Sequence, residues 1–288
     1  MLTTLDAQYS IRSNLEIVSF ATVGSSLNHR DYTDRVMTFR ANAKEMGVRV
    51  KIYTVKDIEA LVPSSEARLF KLRKGAGYWF WKPYVIRDAI KNSQSEYILY
   101  VDIDMDIVSD PSNILKSALT KMDLAAFRQN LFLKDFTSRK CLNNFNLNDT
   151  DANLWTASII GARTRSETAL YAINLWCEAQ QNLRILVDPI FQCKSRHRHD
   201  QSIFSCLIAN NDIRCSDLGA GFWSTGKETR SEDASVAWVL NGNPLNNEIS
   251  SVGVKLKVQN FVSNLFHKSQ LVVFLFLNLR LWRSVSGR

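Results

Sequence analysis

Several features are missing from this chain, and each absence excludes something. There is no CxxC pair, and the five cysteines are an odd number, widely spaced. A disulfide framework or cysteine zinc site is therefore not expected, and reduced thiols are. No uninterrupted apolar run reaches about 18 residues, so a simple spanning helix is not expected. The opening MLTTLDAQYSIRSNLEI has no basic segment followed by an apolar one, so no secretory signal is expected. Internal repeats and low-complexity linkers are absent as well. Acidic residues stop at Glu248, yet Lys255, Lys257, Lys268, Arg280, Arg283 and Arg288 follow. The 36 basic and 28 acidic residues give a net charge of +8, and without those six cations it is +2. The body is thus not a strongly basic nucleic-acid binder.

What remains is an ordinary globular composition, 45% hydrophobic and 22% charged over 288 residues. A chain of that length folds without metal or disulfide support. Leu15–Gly24 reads as a buried first strand, Arg30–Met46 as an amphipathic helix stopped by Gly47, and Val48–Thr54 as a second strand. Asp57–Leu61 reads as a short helix. This alternation predicts an α/β layer with a parallel sheet. Pro83 opens a helix over Tyr84–Lys91. Glu96–Val101 reads as a strand, Asp110–Lys121 as a capped helix and Leu124–Phe127 as a short strand. Lys134–Asn153, polar and Asn-rich, predicts a long loop or lid. Trp155–Ala162 reads as a strand, followed by helices over Arg165–Gln181 and Gln201–Ala209 and a late strand at Ile213–Ser216. Asp217–Asn247 is expected to be mostly irregular. Beyond it, Val254, Val258, Phe261, Val262 and Leu265 recur at helical spacing. Leu271–Leu277 is apolar throughout, flanked by Arg280, Trp282 and Arg283. This tail predicts either a helix docked on the core or an interfacial anchor on an anionic bilayer.

Three constellations carry chemistry. The first is Tyr97–Val101 followed by Asp102-Ile103-Asp104. Open α/β sheets bind ligands at the carboxyl ends of their strands. Residues two apart on an extended chain project to one side, which predicts adjacent carboxylates. Such a pair favours Mg²⁺ or Mn²⁺ held between it and a diphosphate. Asp104-Met105-Asp106 gives a second register, but the apolar run stops just before Asp102. The second constellation is GAGYWFWKP, Gly75–Pro83. Its glycines permit a tight turn, and Trp79 and Trp81 offer flat faces for a base or sugar, or simply core. Lys82 at a helix start can hold a phosphate. The third is HRHDQS, His197–Ser202. Asp200 either caps the helix or faces a sugar together with Gln201. His197 and His199 are isolated histidines, expected in surface or supporting roles.

In this order, GAGYWFWKP, LYVDID and HRHDQS resemble the GT-A glycosyltransferases, and more narrowly bacterial glycosyltransferases of polysaccharide gene clusters. The similarity covers roughly residues 15–211. Asp200-Gln201 also resembles the DQD segment of the retaining family 8 enzymes, with Ser202 in third place. The resemblance implies a single GT-A α/β domain over 1–248, with a mixed, mainly parallel sheet, and a basic amphipathic helical tail over 249–288. It implies a hexosyltransferase (EC 2.4) of surface polysaccharide synthesis. Its donor would be a nucleotide sugar, with a UDP-sugar favoured, and its acceptor a hydroxyl of a glycan or lipid-linked acceptor. Asp102 and Asp104 would bind Mn²⁺ or Mg²⁺ and the donor diphosphate. Phe20, Ala21, Thr22 and Val23 would lie beside the base and Lys82 near the phosphates, with Trp79, Trp81 and His199 completing the donor site. Asp200 and Gln201 would be catalytic, beside the transferred sugar. The expected location is cytoplasmic, at the inner membrane face if the tail anchors. One departure stands out: the HxxGxxKP-like stretch of family 8 is replaced by Phe222-Trp223-Ser224-Thr225-Gly226-Lys227, and the only later histidine is His267. The third metal ligand and the stereochemical outcome therefore stay open.

Two other classes share part of this pattern. A phosphatase of the haloacid dehalogenase type also starts from DxD after an apolar strand. That family usually carries the motif on the first strand, whereas here a βαβ unit precedes it. The other rival is a non-catalytic binding protein that keeps a transferase fold.

Overall fold

The computed structural model describes residues 14–24, 31–72, 74–107, 110–148, 150–187, 197–219 and 238–240. The tail over 249–288, and with it the docking and anchoring alternatives, lies outside the described residues. So does nearly all of 220–247. Among the described residues no helix is long and apolar enough to cross a membrane.

The chain begins β1 (Leu15–Phe20), α1 (Thr33–Glu45), β2 (Arg49–Tyr53), α2 (Val55–Leu61) and α3 (Ser64–Ala67). A single turn, α4 (Gly75–Tyr78), precedes α5 (Lys82–Asn92), β3 (Tyr97–Val101), β4 (Met105–Ile107) and α6 (Ser112–Ala118). Then come β5 (Leu124–Phe132), α7 (Arg139–Asn144), β6 (Asn153–Arg163), α8 (Glu167–Gln180), α9 (Leu183–Leu186) and α10 (Asp200–Ala209). Two short strands follow, β7 (Ser216–Asp217) and β8 (Trp238–Leu240).

Six strands form one sheet in the order β2-β1-β3-β6-β5-β7. Pairings β1/β2, β1/β3 and β5/β7 are parallel, and β3/β6 and β5/β6 antiparallel. The sheet is therefore mixed and mainly parallel, as expected. β4 and β8 form a separate antiparallel pair. Both faces of the large sheet are covered, which is why β3 reads as an unbroken apolar run. Ile98 and Tyr100 enter the core on one face, and Tyr97, Leu99 and Val101 enter the other. On the first face α8 contributes Ala169, Ala172, Ile173, Trp176 and Cys177, a stripe of helical period. Trp176 is fully buried and packs 4.7 Å from the Phe204 ring of α10. Burying a side chain of that size contributes about 2–3 kcal/mol. On the other face α1 supplies Val36, Phe39 and Ala43.

Several elements differ from expectation. The segment read as a long loop or lid is a packed element. Leu133–Asp135 forms a 3₁₀ turn, and the Ser138 hydroxyl accepts from Cys141 N (3.3 Å) to cap α7. Leu133, Cys141, Leu142 and Phe145 are buried there. The asparagines lie between these apolar positions, so composition concealed a short amphipathic pattern. β5 runs nine residues rather than four. Its register with β6 shifts around Arg128, which keeps a polar stretch in the sheet. The late strand is displaced to Ser216–Asp217. Asp104 is not on the strand that ends at Val101: residues 103–104 turn, and Met105 N donates to Asp102 O (3.0 Å). A turn, not the pleat, sets the spacing of the two carboxylates.

Candidate active site

A cavity of about 1160 Å³ opens at the carboxyl ends of β1 and β3 and extends across β6 toward the segment after β5. All three sequence constellations reach it, through Lys82, Asp102 and Asp200 among others.

The GAGYW stretch does more than turn. Gly75, Ala76, Gly77, Tyr78 and Trp79 all have positive φ, between 48° and 97°. Tyr78 N donates to Lys74 O (2.6 Å) and Trp79 N to Gly75 O (3.1 Å), so the segment is one turn of left-handed helix. An L-residue in that conformation costs roughly 1–2 kcal/mol, so Ala76, Tyr78 and Trp79 together cost about 3–6 kcal/mol. Two glycines limit the strain, and both are also sterically required: a Cβ on Gly75 would run into the Trp79 ring, and one on Gly77 would meet Leu69 O at 2.7 Å. The turn is held by its flanks. Trp81 Nε1 donates to Gly75 O (3.1 Å), the Trp81 ring lies 4.0 Å from Phe20, and Phe80 packs 5.0 Å from Phe70. Trp81 is buried, while Trp79 is half-buried and faces the cavity.

Lys82, at the start of α5, is buried between two carboxylates. Its Nζ stands 3.0 Å from Asp102 Oδ1 and 3.0 Å from Asp200 Oδ2. Tyr100 Oη also donates to Asp102 Oδ1 (2.5 Å). The two carboxylates raise the Lys82 ammonium above its ordinary range, outweighing the burial that acts against it. Asp200 moves the other way from a simple ion-pair partner: burial, reinforced by the Asp102 charge, lifts its carboxyl to about 6 despite Lys82. The two directions agree once the charges are counted, since one ammonium cannot neutralise both the buried Asp200 and the partly exposed Asp102. Asp104 lies at the cavity mouth. Its side chain touches solvent, yet crowding by the walls and the Asp102 charge raise its carboxyl too. Arg35 of α1 fixes this turn, its Nε donating to Ile103 O (3.2 Å) and its Nη2 to Met105 O (3.0 Å).

At the start of α10, His199 is again strained (φ 50°, ψ −114°). Its Nδ1 bonds Leu186 O (2.9 Å), while His197 Nε2 bonds Ile185 O (2.7 Å) and its Nδ1 accepts from Ser138 N (3.2 Å). Both imidazoles are buried, and burial holds His199 well below the ordinary histidine range. The sequence's isolated histidines are thus joined, rings 5.1 Å apart, and fasten the start of α10 to α9. His199 also stacks on Trp79, with centroids 5.9 Å apart. Gln201 Nε2 donates to Gln129 Oε1 (2.7 Å).

Of the residues singled out from sequence, Phe20, Thr22, Trp79, Trp81, Lys82, Asp102, Asp104, His199, Asp200 and Gln201 line the cavity. Ala21 is buried and Val23 is exposed, and neither is among the lining residues. Asp106 belongs to β4, paired with Val239 of β8. Sequence reasoning missed Arg35, Tyr32, Lys74, Gln129, Phe136 and Arg198. Arg198 stands inside the quoted HRHDQS stretch and could have been found there. Nothing local marks Arg35 or Gln129. Among the described residues no group of three His, Cys, Asp or Glu side chains converges as a metal site.

No protein-family profile matches the chain, and no curated protein sequence does. Among solved structures it is similar to mouse xyloside xylosyltransferase 1 in its apo form, at 10% identity and TM-score 0.43, over 73% of this chain and 86% of that one. It is also similar to the galactosyltransferase LgtC in complex with donor and acceptor sugar analogues, at 12% identity and TM-score 0.42, over 79% and 87%. A third is the apo structure of the bifunctional glycosyltransferase WbbM, at 13% identity and TM-score 0.41, over 77% and 41%.

Proposed function

We propose that the protein is a GT-A glycosyltransferase that moves a sugar from a nucleoside diphosphate donor to a hydroxyl of a glycan or lipid-linked acceptor. One observation carries this reading. The GAGYWFWKP, LYVDID and HRHDQS segments, far apart in sequence, meet at one cavity on the sheet's carboxyl edge, and Lys82 joins Asp102 to Asp200. Open α/β sheets place ligands at that edge.

The residues present suit a divalent cation. Asp102 and Asp104 are hard oxygen ligands; burial first and the Asp102 charge second raise the Asp104 carboxyl, and a cation would relieve the repulsion. Two protein carboxylates leave the remaining positions to substrate oxygens and water, as Mg²⁺ and Mn²⁺ sites commonly do. When bound, the ion supplies Lewis-acid stabilisation of the leaving diphosphate. The chain's own groups do the rest. Phe20 and Thr22 flank the base, and Trp79 and Trp81 form the wall beside it. Lys82 holds the Asp102 and Asp200 carboxylates at fixed positions. Gln129 orients the Gln201 amide, so that Gln201 and Asp200 face the charge developing at the anomeric carbon. In a retaining reaction either of them stands on the back face of the sugar. In an inverting one Asp200, its carboxyl raised toward neutrality, takes the acceptor proton. A UDP-sugar is the donor proposed, with surface polysaccharide synthesis as the setting. The 249–288 tail would hold the enzyme at an anionic membrane surface on the cytoplasmic side.

Calorimetric titration of UDP, GDP and CDP, each with Mn²⁺ or with EDTA, tests the reading. One nucleotide is expected to bind only with metal, and Asp102→Asn is expected to weaken it at least tenfold while the fold persists. Absence of nucleotide binding to folded protein under every condition overturns the transferase reading and turns attention to phosphatase substrates.

A further inference from the structure

A turn that presents two carboxylates to one cation has to be held by groups other than those carboxylates. Residues 102–105 are held at both ends. Asp102 N donates to Ser158 O of β6 (2.9 Å), and Met105 N closes the turn on Asp102 O (3.0 Å). The side chains of Ile103 and Met105 are buried, in the same apolar cluster as Val36 and Phe39 of α1. Asp104, between them, reaches solvent, so core packing of its own side chain does not fix it.

Arg35 supplies what packing leaves out. From α1 its Nε donates to Ile103 O (3.2 Å) and its Nη2 to Met105 O (3.0 Å). These carbonyls stand one residue before and one residue after Asp104, so the guanidinium spans that residue. The arginine has a firm base. Val36, Phe39 and Ala43 bury α1 against the sheet, and Tyr32 N at its start donates to Thr22 O just beyond β1 (2.9 Å). A planar fork holds two carbonyls at once, whereas a lysine ammonium is a single point on a flexible stem. Arg35 is not among the residues lining the cavity, so its effect on the site passes through the turn.

We infer that Arg35 is a positioning residue for the cation: by spanning Asp104 it presets the turn, so that Asp102 and Asp104 receive a divalent metal without first ordering the chain between them. The inference rests on the metal pair of the transferase reading above. It adds a residue outside the three sequence segments on which the metal affinity depends. Where binding itself must order the backbone of one residue, affinity falls roughly 5- to 30-fold. A clamp that orders the residue beforehand removes that loss.

Manganese titration of the full chain in the presence of UDP, followed by the EPR signal of free Mn²⁺, tests it in the wild type, Arg35→Lys and Arg35→Met. Lysine keeps the charge but holds only one carbonyl, and methionine keeps part of the stem and holds neither. Both variants are expected to bind Mn²⁺ about tenfold more weakly. Excess Mn²⁺ is expected to restore their UDP binding, read by calorimetry. Wild-type Mn²⁺ affinity in either variant overturns the inference, because the two-carbonyl span is then not what the metal site needs. UDP binding that excess Mn²⁺ does not restore also overturns it, since the arginine then supports the nucleotide or the fold. Circular dichroism follows folding at the assay temperature. If only Arg35→Met unfolds, Arg35→Lys decides, and unfolding of both variants assigns the arginine to the fold and overturns the inference. Failure of the wild type to bind Mn²⁺ with UDP removes the metal-dependent reading itself, a result distinct from one confined to the variants.

Discussion

Lys82 and the two carboxylates beside it set the chemistry of the cavity floor. One ammonium faces two carboxylates, of which Asp200 is buried and Asp102 partly exposed, so the buried one keeps its proton more readily. That one is Asp200, whose carboxyl is raised from 3.8 to about 6. Between these values the folded state keeps a proton that the unfolded chain has lost, so the contribution of Asp200 to stability falls as pH rises from about 4 through 6. By pH 7.5 the ionised group costs the ligand-free fold about 3 kcal/mol. Asp200→Asn removes that cost. The variant is expected to melt several degrees above the wild type at pH 7.5, with the gap closing near pH 4. Sugar transfer should fall at least a hundredfold in the same variant. Thermal melts across pH, paired with a transfer assay, read both effects. A variant less stable at pH 7.5 than the wild type would show that Asp200 serves mainly as a structural partner of Lys82.

Among the elements, the left-handed turn at Gly75–Trp79 is the least ordinary. It lets Trp79 face the cavity while Trp81, two residues on, packs against Phe20. A right-handed turn of the same residues would not present them in this way. Strain of this kind persists only where flanking packing overdetermines it. Gly77→Ala adds a Cβ at 2.7 Å from Leu69 O on a backbone with φ 97°, and neither can relax cheaply. The expected loss is about 2–4 kcal/mol, read by urea denaturation. Ala76→Gly does the opposite: at φ 48°, ψ 52° it relieves left-handed strain, offset in part by glycine's extra freedom when unfolded. A gain of about 0.5–1 kcal/mol is expected. Destabilisation by Ala76→Gly would mean that the alanine methyl packs for more than the strain costs.

On the scale of the whole molecule, the charge is divided. The net charge is +8, of which six units follow Glu248. The proposed division into a catalytic domain over 1–248 and an anchoring tail over 249–288 makes a separable prediction. In liposome sedimentation with anionic vesicles, the full chain is expected to pellet and the chain ending at residue 248 to stay in the supernatant. Raised salt should weaken the binding, since surface attraction is screened within about 10 Å. Nucleotide binding should survive the truncation. Unchanged pelleting would remove the anchor, and lost nucleotide binding would make the tail part of the domain.

The alternation of strands and helices from Leu15 to Ala209 was determined by the sequence alone, because period-2 and period-3.6 burial leave their mark on residue order. So was the identity of the three segments that meet at the cavity. The Asn-rich stretch before β6 has the composition of a loop, since its apolar residues are few, yet Leu133, Cys141, Leu142 and Phe145 are buried. The antiparallel insertion of β6 beside β3 is a pairing over long range, which no local pattern encodes. The tertiary structure alone decided that Lys82 sits between two carboxylates rather than open to a phosphate. It also decided that a turn stapled by Arg35 sets the DxD spacing, and that Gly75–Trp79 winds left-handed. The physical reason is common to all three. Charge balance, helix hand and carbonyl capture depend on which groups are brought within a few ångströms, and residues far apart in sequence set those distances.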